Sequence, residues 1–201
     1  YQEGVRIPPI KILENGKLNR AAMTLLMANM RVPEEREGDF NASLGASKVA
    51  EGRIRKLIER YGWNTLKNAI AVNLDRTESR LREKISALPD GDYFYEDYLE
   101  FYNEGQLDPV LAQIKLTVAG DQITADFNGT NPQVPGVVNS SLAVVGAGVF
   151  VAIKSTLDPG GAVNQGAFRP ITLKAPEASI FNVSLDAPAG AHGEVRKRAV
   201  S

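Results

Sequence analysis

The sequence predicts an α+β fold: a long antiparallel helix pair, then a mixed or antiparallel sheet with a buried helix. Three observations predict it. From residue 33 to residue 87, apolar side chains recur mainly at steps of three and four, the helical period. At Pro89-Asp90-Gly91 the period changes, and Ile114, Leu116, Val118 and then Ile123, Ala125, Phe127 alternate with polar residues on either side of Gly120-Asp121. The run 142–153 is almost wholly apolar, which suits a helix buried against a sheet.

The elements follow in order. Pro8-Pro9 makes residues 1–13 an extended lead-in, and Asn15-Gly16 is a turn. Asn19 can cap a short helix over 20–30 that buries Met23, Leu26, Met27 and Met30. The long helix starts at Pro33, where a missing N–H costs nothing. Glu34, Glu35 and Glu37 complement its positive end, and Arg53, Arg55, Lys56 and Arg60 its negative end. Gly62 ends it in a left-handed cap. Asn64 can cap a third helix to residue 87, with Leu66, Ile70, Leu74, Leu81 and Ile85 on its inner side. Joined by so short a turn, the two helices should lie antiparallel.

Tyr93-Phe94-Tyr95 is β-prone, and residues 113–118 and 122–128 form a hairpin. Residues 129–136 are a loop. Asn139 or Ser140 caps the buried helix, which ends near Leu157-Asp158-Pro159-Gly160-Gly161. Residues 168–173 read as a strand and 175–179 as a turn. The tail from 186 to 193 is irregular. The organisation is therefore a helical segment with its lead-in over 1–88 and an α+β segment over 89–201, both parts of one larger subunit.

Composition narrows the function. Lys and Arg number 23 and Asp and Glu 24, so no basic footprint points to nucleic acid or to an anionic membrane. Cysteine is absent, which excludes disulfides and thiolate chemistry and fits a cytoplasmic protein. No stretch is long and apolar enough to span a bilayer as a helix, and no signal peptide opens the chain. The first residue is not Met and the last element has no obvious end, so the chain reads as an internal piece of a longer polypeptide. The single histidine, His192, sits in a loop-like Ala-His-Gly and cannot build a histidine-based metal site with other residues here. No phosphate loop of the usual kinds and no Gly-x-Ser-x-Gly elbow occurs. Gly146-Ala147-Gly148 reads as close helix packing.

The long helix carries the most chemical information. Its inner stripe runs through Arg36, Asp39, Ser43, Ser47, Ala50, Ile54, Leu57, Ile58 and Tyr61, and its first half is polar where core residues are expected. Burying an unpaired charge is costly. Arg36 and Asp39 are therefore either an internal ion pair that braces a loop or the border of a polar cleft. The loops 128–131, 139–141 and 164–166 are rich in amides and hydroxyls, which serve both as turn residues and as holders of a small polar ligand.

A series of motifs resembles one family in order along the chain. They are Gly4-Val5-Arg6-Ile7-Pro8-Pro9, Arg31-Val32-Pro33-Glu34-Glu35-Arg36-Glu37-Gly38-Asp39, Ile58-Glu59-Arg60-Tyr61-Gly62 and Leu88-Pro89-Asp90-Gly91. Asp126-Phe127-Asn128-Gly129-Thr130, Gln133-Val134-Pro135-Gly136-Val137-Val138-Asn139 and Asn164-Gln165-Gly166-Ala167-Phe168-Arg169-Pro170-Ile171 follow. Each is weak alone; their number and order resemble the B-type subunit of ATP-dependent hydantoinases, 5-oxoprolinases and acetone or acetophenone carboxylases. The resemblance implies ATP-driven opening of a cyclic amide or imide, with ketone carboxylation as the alternative chemistry and a non-catalytic scaffold that docks the partner as the alternative role. It implies an A-type, ATP-binding partner subunit. It also implies ATP and a divalent metal in the full complex, neither of them bound by this segment: the partner handles ATP, and in the carboxylase members the metal-binding His and Asp residues precede the Ile-Pro-Pro motif. The chain then corresponds to the middle of such a subunit, inactive on its own. Arg36, Asp39, Asn139, Asn164 and Arg169 are the substrate-binding candidates, with Arg169 suited to a carboxylate or phosphate.

Overall fold

The computed structural model describes residues 7–185 and 187–190. His192 and residues 4–6, which open the first family motif before Ile7-Pro8-Pro9, lie outside the described residues. The chain divides between Ala69 and Ile70 into two compact units. The division falls inside the third helix, earlier than the boundary at 88 that the change of period marks.

The first unit opens with a small hairpin, β1 (Leu13–Glu14) and β2 (Lys17–Leu18), whose turn residues Asn15 and Gly16 both have positive φ. Helix α1 (Arg20–Ala28) follows, and its Asn19 cap accepts a hydrogen bond from the Ala22 amide at 3.1 Å. Ala22, Met23 and Leu26 are buried, and α1 packs on α2 (Pro33–Tyr61). Pro33 opens α2 as its position predicts. Val32 before it is left-handed at φ 54°, an unfavourable conformation for a β-branched residue. Gly62 closes α2 with its amide on the Ile58 carbonyl at 2.8 Å.

The stripe of α2 departs from expectation. No residue of α2 is buried. Ile54, Leu57 and Tyr61 are between 41% and 48% exposed. Polar residues fill half of the stripe, which leaves little apolar area to reward burial. Helix α3 (Trp63–Ile85) begins at Trp63, one residue before the expected cap.

The second unit holds the main core. The last turns of α3 bury Thr77, Leu81 and Ile85, while Ile70 stays half exposed, so only the C-terminal part of that stripe is internal. The sheet contains β3 (Gly91–Leu99), β6 (Val110–Ala119), β7 (Gln122–Asp126) and β8 (Ile171–Lys174), in the order β3-β6-β7-β8. Between β3 and β6 lies a two-stranded ribbon of β4 (Tyr102–Asn103) and β5 (Gln106–Leu107). The β6–β7 hairpin turns at Gly120-Asp121, with positive φ at Gly120 and not at Asp121, the type II′ pattern. Pairs β3–β6 and β6–β7 are antiparallel; β7–β8 is parallel, connected through α4 (Leu142–Leu157). The parallel strand starts three residues later than expected, because residues 165–168 form a 3₁₀ turn.

The core lies between α3, α4 and the sheet: Leu81 and Ile85, Val110 and Val118, Ile123 and Ala125, Val145 and Val149. Phe127 and Phe181 meet at 4.6 Å between ring centroids. Gly146 lets α4 approach Leu173, where an added Cβ would sit 3.2 Å from the leucine methyl.

Candidate functional site

In the first unit, Arg36 and Asp39 form an ion pair at 2.7 Å, with side chains 48% and 65% exposed. It is a surface pair one helical turn apart, so the internal-pair reading does not hold. Water reaches both groups, and burial provides no reason for their pairing.

In the second unit, Asn139 is fully buried. Its side-chain oxygen accepts from the Val134 amide at 2.9 Å, and its nitrogen lies 2.8 Å from the carbonyls of Val134, Gly136 and Pro188. That amide is saturated by backbone and has no surface, so it shapes the loop 134–139 and presents nothing to a ligand. The Pro135-Gly136 turn beside it is tied to this side chain through the Gly136 carbonyl and packs on the Phe101 ring.

Asn164 and Arg169 share a segment and both face α3. The Asn164 oxygen accepts from the Gly166 amide and its nitrogen donates to Thr77 Oγ1, each at 2.9 Å. Arg169 Nη1 donates to Asp75 and Glu78 at 2.8 Å. Glu78 also accepts from Arg82 Nε and Nη2, and Arg82 reaches Asp121 at 3.1 Å. The Arg169 and Arg82 guanidiniums hold the Glu78 carboxyl below its ordinary range.

A third anchor was not legible as a site. Asp158, 3% exposed, follows the end of α4 and receives Arg80 Nε and Nη2. Buried Lys154, one turn earlier, donates to the Asp158 and Gly161 carbonyls. Arg80, then Lys154, hold the Asp158 carboxyl below its ordinary value against the opposing effect of burial. The available signal was a lysine directly after an apolar run, with an aspartate four residues on.

The segment 158–169 is thus fixed to α3 at Arg80, Thr77 and the Asp75–Glu78 pair. Asn139 has none of these partners. Among the described residues no three His, Asp or Glu side chains converge as a metal site. The carboxylates of Asp75, Glu78 and Asp158 are already engaged by arginines, so this donor set does not fit a divalent metal.

A family model described as hydantoinase B/oxoprolinase matches residues 1–201. The chain belongs to the hydantoinase B/oxoprolinase family. The B component of a candidate D-/L-hydantoinase from Pseudomonas sp. is 30% identical over 94% of this chain and 33% of its own length. The beta chain of caprolactamase from Pseudomonas jessenii is 29% identical, over 94% of this chain and 32% of its own. The crystal structure of that ATP-dependent caprolactamase aligns with TM-score 0.87 and 28% identity over 100% of this chain and 34% of that one. A nucleotide-free acetone carboxylase structure aligns with TM-score 0.82 at 16% identity over 91% of this chain and 26% of that one, a likeness of fold alone. The chain spans about a third of the length of the curated relatives it matches. The hydantoinase B segment therefore has the expected α+β fold, and its polar loops are tied to α3 and to backbone.

Proposed function

We propose that this chain is the central segment of the B-type subunit of an ATP-dependent cyclic-amide hydrolase, acting on a lactam or imide with an A-type partner that handles ATP. The observation that supports it is the similarity to the ATP-dependent caprolactamase along the whole chain. ATP would supply phosphoryl activation of the amide, and a divalent metal would belong to other parts of the complex. Arg169 offers an anion contact, since among the described residues both of its side-chain hydrogen bonds use Nη1 and leave Nε and Nη2 to donate. Asn164 orders the segment that carries it. Arg36 and Asp39 are polar contacts of their own unit, open to solvent or to a bound molecule. The protein is read as cytoplasmic; no helix among the described residues is long and apolar enough to cross a membrane.

The test is ATP turnover by the full-length B-type protein containing this segment, assembled with its A-type partner, against hydantoin, 5-oxoproline, caprolactam and acetone. The expected result is turnover stimulated by a cyclic amide without bicarbonate. Bicarbonate-dependent ketone consumption would overturn the hydrolase reading in favour of a carboxylase. The segment alone should show no tight ATP binding by calorimetry.

A second reading, a scaffold that docks the A-type partner without touching substrate, is favoured by one observation: Asn139, Asn164 and Arg169 are all engaged by the protein itself. Arg169→Gln separates the two. A large fall in turnover with assembly intact supports contact, and unchanged turnover supports the scaffold.

A further inference from the structure

One of the buried residues of α3 is polar. Thr77, 7% exposed, stands with Leu81 and Ile85 on the inner side of the helix. Its Oγ1 donates to the Asn73 carbonyl one turn earlier, at 2.9 Å, so the helix itself satisfies the hydroxyl proton. A valine would have nearly the same shape and no polar atom to desolvate. What threonine adds at this position is a buried acceptor, and Asn164 Nδ2 donates to it at 2.9 Å.

That bond begins a chain of contacts that ends at Arg169. Asn164 Oδ1 accepts from the Gly166 amide at 2.9 Å, and the Asn164 carbonyl accepts from the Ala167 amide at 3.0 Å. The Gly166 carbonyl in turn accepts from the Arg169 amide at 3.3 Å. The turn 165–168 lies directly on α3, since a Cβ at Gly166 would sit 2.0 Å from the Leu74 carbonyl oxygen. Beyond Arg169, Pro170 is buried and its carbonyl accepts from the Ile123 amide of β7 at 3.0 Å. The guanidinium is held as well: Nη1 donates to Asp75 and Glu78, on either side of Thr77 along α3. Arg169 is therefore fixed both at its backbone and at one nitrogen of its head.

We propose that Thr77 is a positioning residue for Arg169: through Asn164 it sets the turn 165–168 on α3, and with it the direction of the Nε–Nη2 edge. This role rests on the reading of Arg169 as an anion contact, and it places the aim of that contact inside the fold. A guanidinium already oriented loses little freedom when it takes a carboxylate or phosphate through two parallel bonds. Without the Thr77 acceptor, Asn164 Nδ2 loses its partner and the turn is free to shift along α3. Asp75 and Glu78 then hold the head over a displaced backbone, and the free edge points elsewhere.

The experiment is a double-mutant cycle on ATP turnover by the full-length B-type protein assembled with its A-type partner, with hydantoin, 5-oxoproline and caprolactam each supplied as substrate. Thr77→Val should lower turnover about tenfold, short of the roughly hundredfold that a misplacement of about 1 Å can cost. Thr77→Ser keeps the acceptor and should stay close to the parent. In the Arg169→Gln background Thr77→Val should have no further effect, because the residue it aims is gone. Thermal melts and sedimentation check that each variant is folded and assembled; Thr77→Ala, which removes the hydroxyl without adding a methyl, replaces the valine variant if that one does not fold. A loss of equal size in both backgrounds would make Thr77 a purely structural residue and overturn the proposal. So would unchanged turnover in Thr77→Val, or an equal loss in Thr77→Ser. Arg169→Gln by itself reports on the contact. Unchanged turnover there overturns the anion reading and this role with it, whereas a loss there with none in Thr77→Val overturns this role only.

Discussion

Arg36–Asp39 and Asp158–Arg80 are both carboxylate–guanidinium pairs, yet their surroundings make them different objects. Arg36 and Asp39 sit in water, at 48% and 65% exposure. Asp39→Ala should lower stability by less than about 1 kcal/mol, read as a small shift of the urea midpoint. A loss of roughly 3–5 kcal/mol would mean that the pair is buried. Asp158 is enclosed, and its removal leaves Lys154 as an uncompensated internal cation. Asp158→Ala should cost about 3 kcal/mol, the low end for a broken buried pair, because Lys154 keeps the Gly161 carbonyl. The pH dependence has a fixed sign. Arg80 and Lys154 depress the folded-state value, so the contribution is fully present above the unfolded value of about 3.9 and is lost as pH falls through the lower folded value. Urea midpoints measured from about pH 5 down to about pH 2 should fall less steeply in Asp158→Asn than in the parent chain. Parallel slopes would remove Asp158 from the acid response.

At the scale of elements, the segment 158–169 depends on a glycine where it crosses α3. A Cβ at Gly166 would overlap the backbone carbonyl of Leu74, which cannot rotate away as a side chain could. Gly166→Ala should destabilise by roughly 1–3 kcal/mol, in the manner of overpacking. Gly160 lies in the same segment, and an added methyl there meets nothing within 4 Å. Gly160→Ala should therefore leave the midpoint nearly unchanged. Paired thermal melts of the two variants measure this; equal effects would deny the close approach. Gly-containing turns were readable from sequence because left-handed backbone leaves few choices of residue, as at Asn15-Gly16 and Gly120-Asp121. The contact at Gly166 was not, since nothing in its neighbours names the helix it meets.

Across the molecule, apolar burial is uneven. The β6–β7 hairpin and α4 supply the centre of one core. By contrast α2 buries nothing, and Gly38, Gly45 and Gly52 lie within it, each less favourable than alanine by about 1 kcal/mol in a helix. Native-state hydrogen exchange should therefore find the slowest amides in β6 and β7 and should find α2 opening at a much lower free energy. Equal protection in α2 and β6 would show that α2 is held by contacts this arrangement lacks.

Sequence alone determined the local structure and the family. Period and turns placed α2, α4 and the β6–β7 hairpin, because each depends on neighbours a few residues apart; the cap of α4 is Ser141, one residue past the expected Asn139 or Ser140. The ordered motifs indicated a hydantoinase B segment, since their order and number along the chain need no coordinates. What the motif residues do was decided by tertiary structure. Whether Arg36 and Asp39 were internal depended on whether anything covered the α2 stripe, and the spacing of one helix cannot report what lies against it. Asn139 reads from sequence as a ligand-facing amide, yet four backbone groups enclose it. The Arg80–Asp158 pair joins residues 78 positions apart, and β8 lies parallel to β7 across the length of α4. Such pairings are set by the packing of helices on a sheet, where the energy of a contact depends on distance in space and not on distance along the chain.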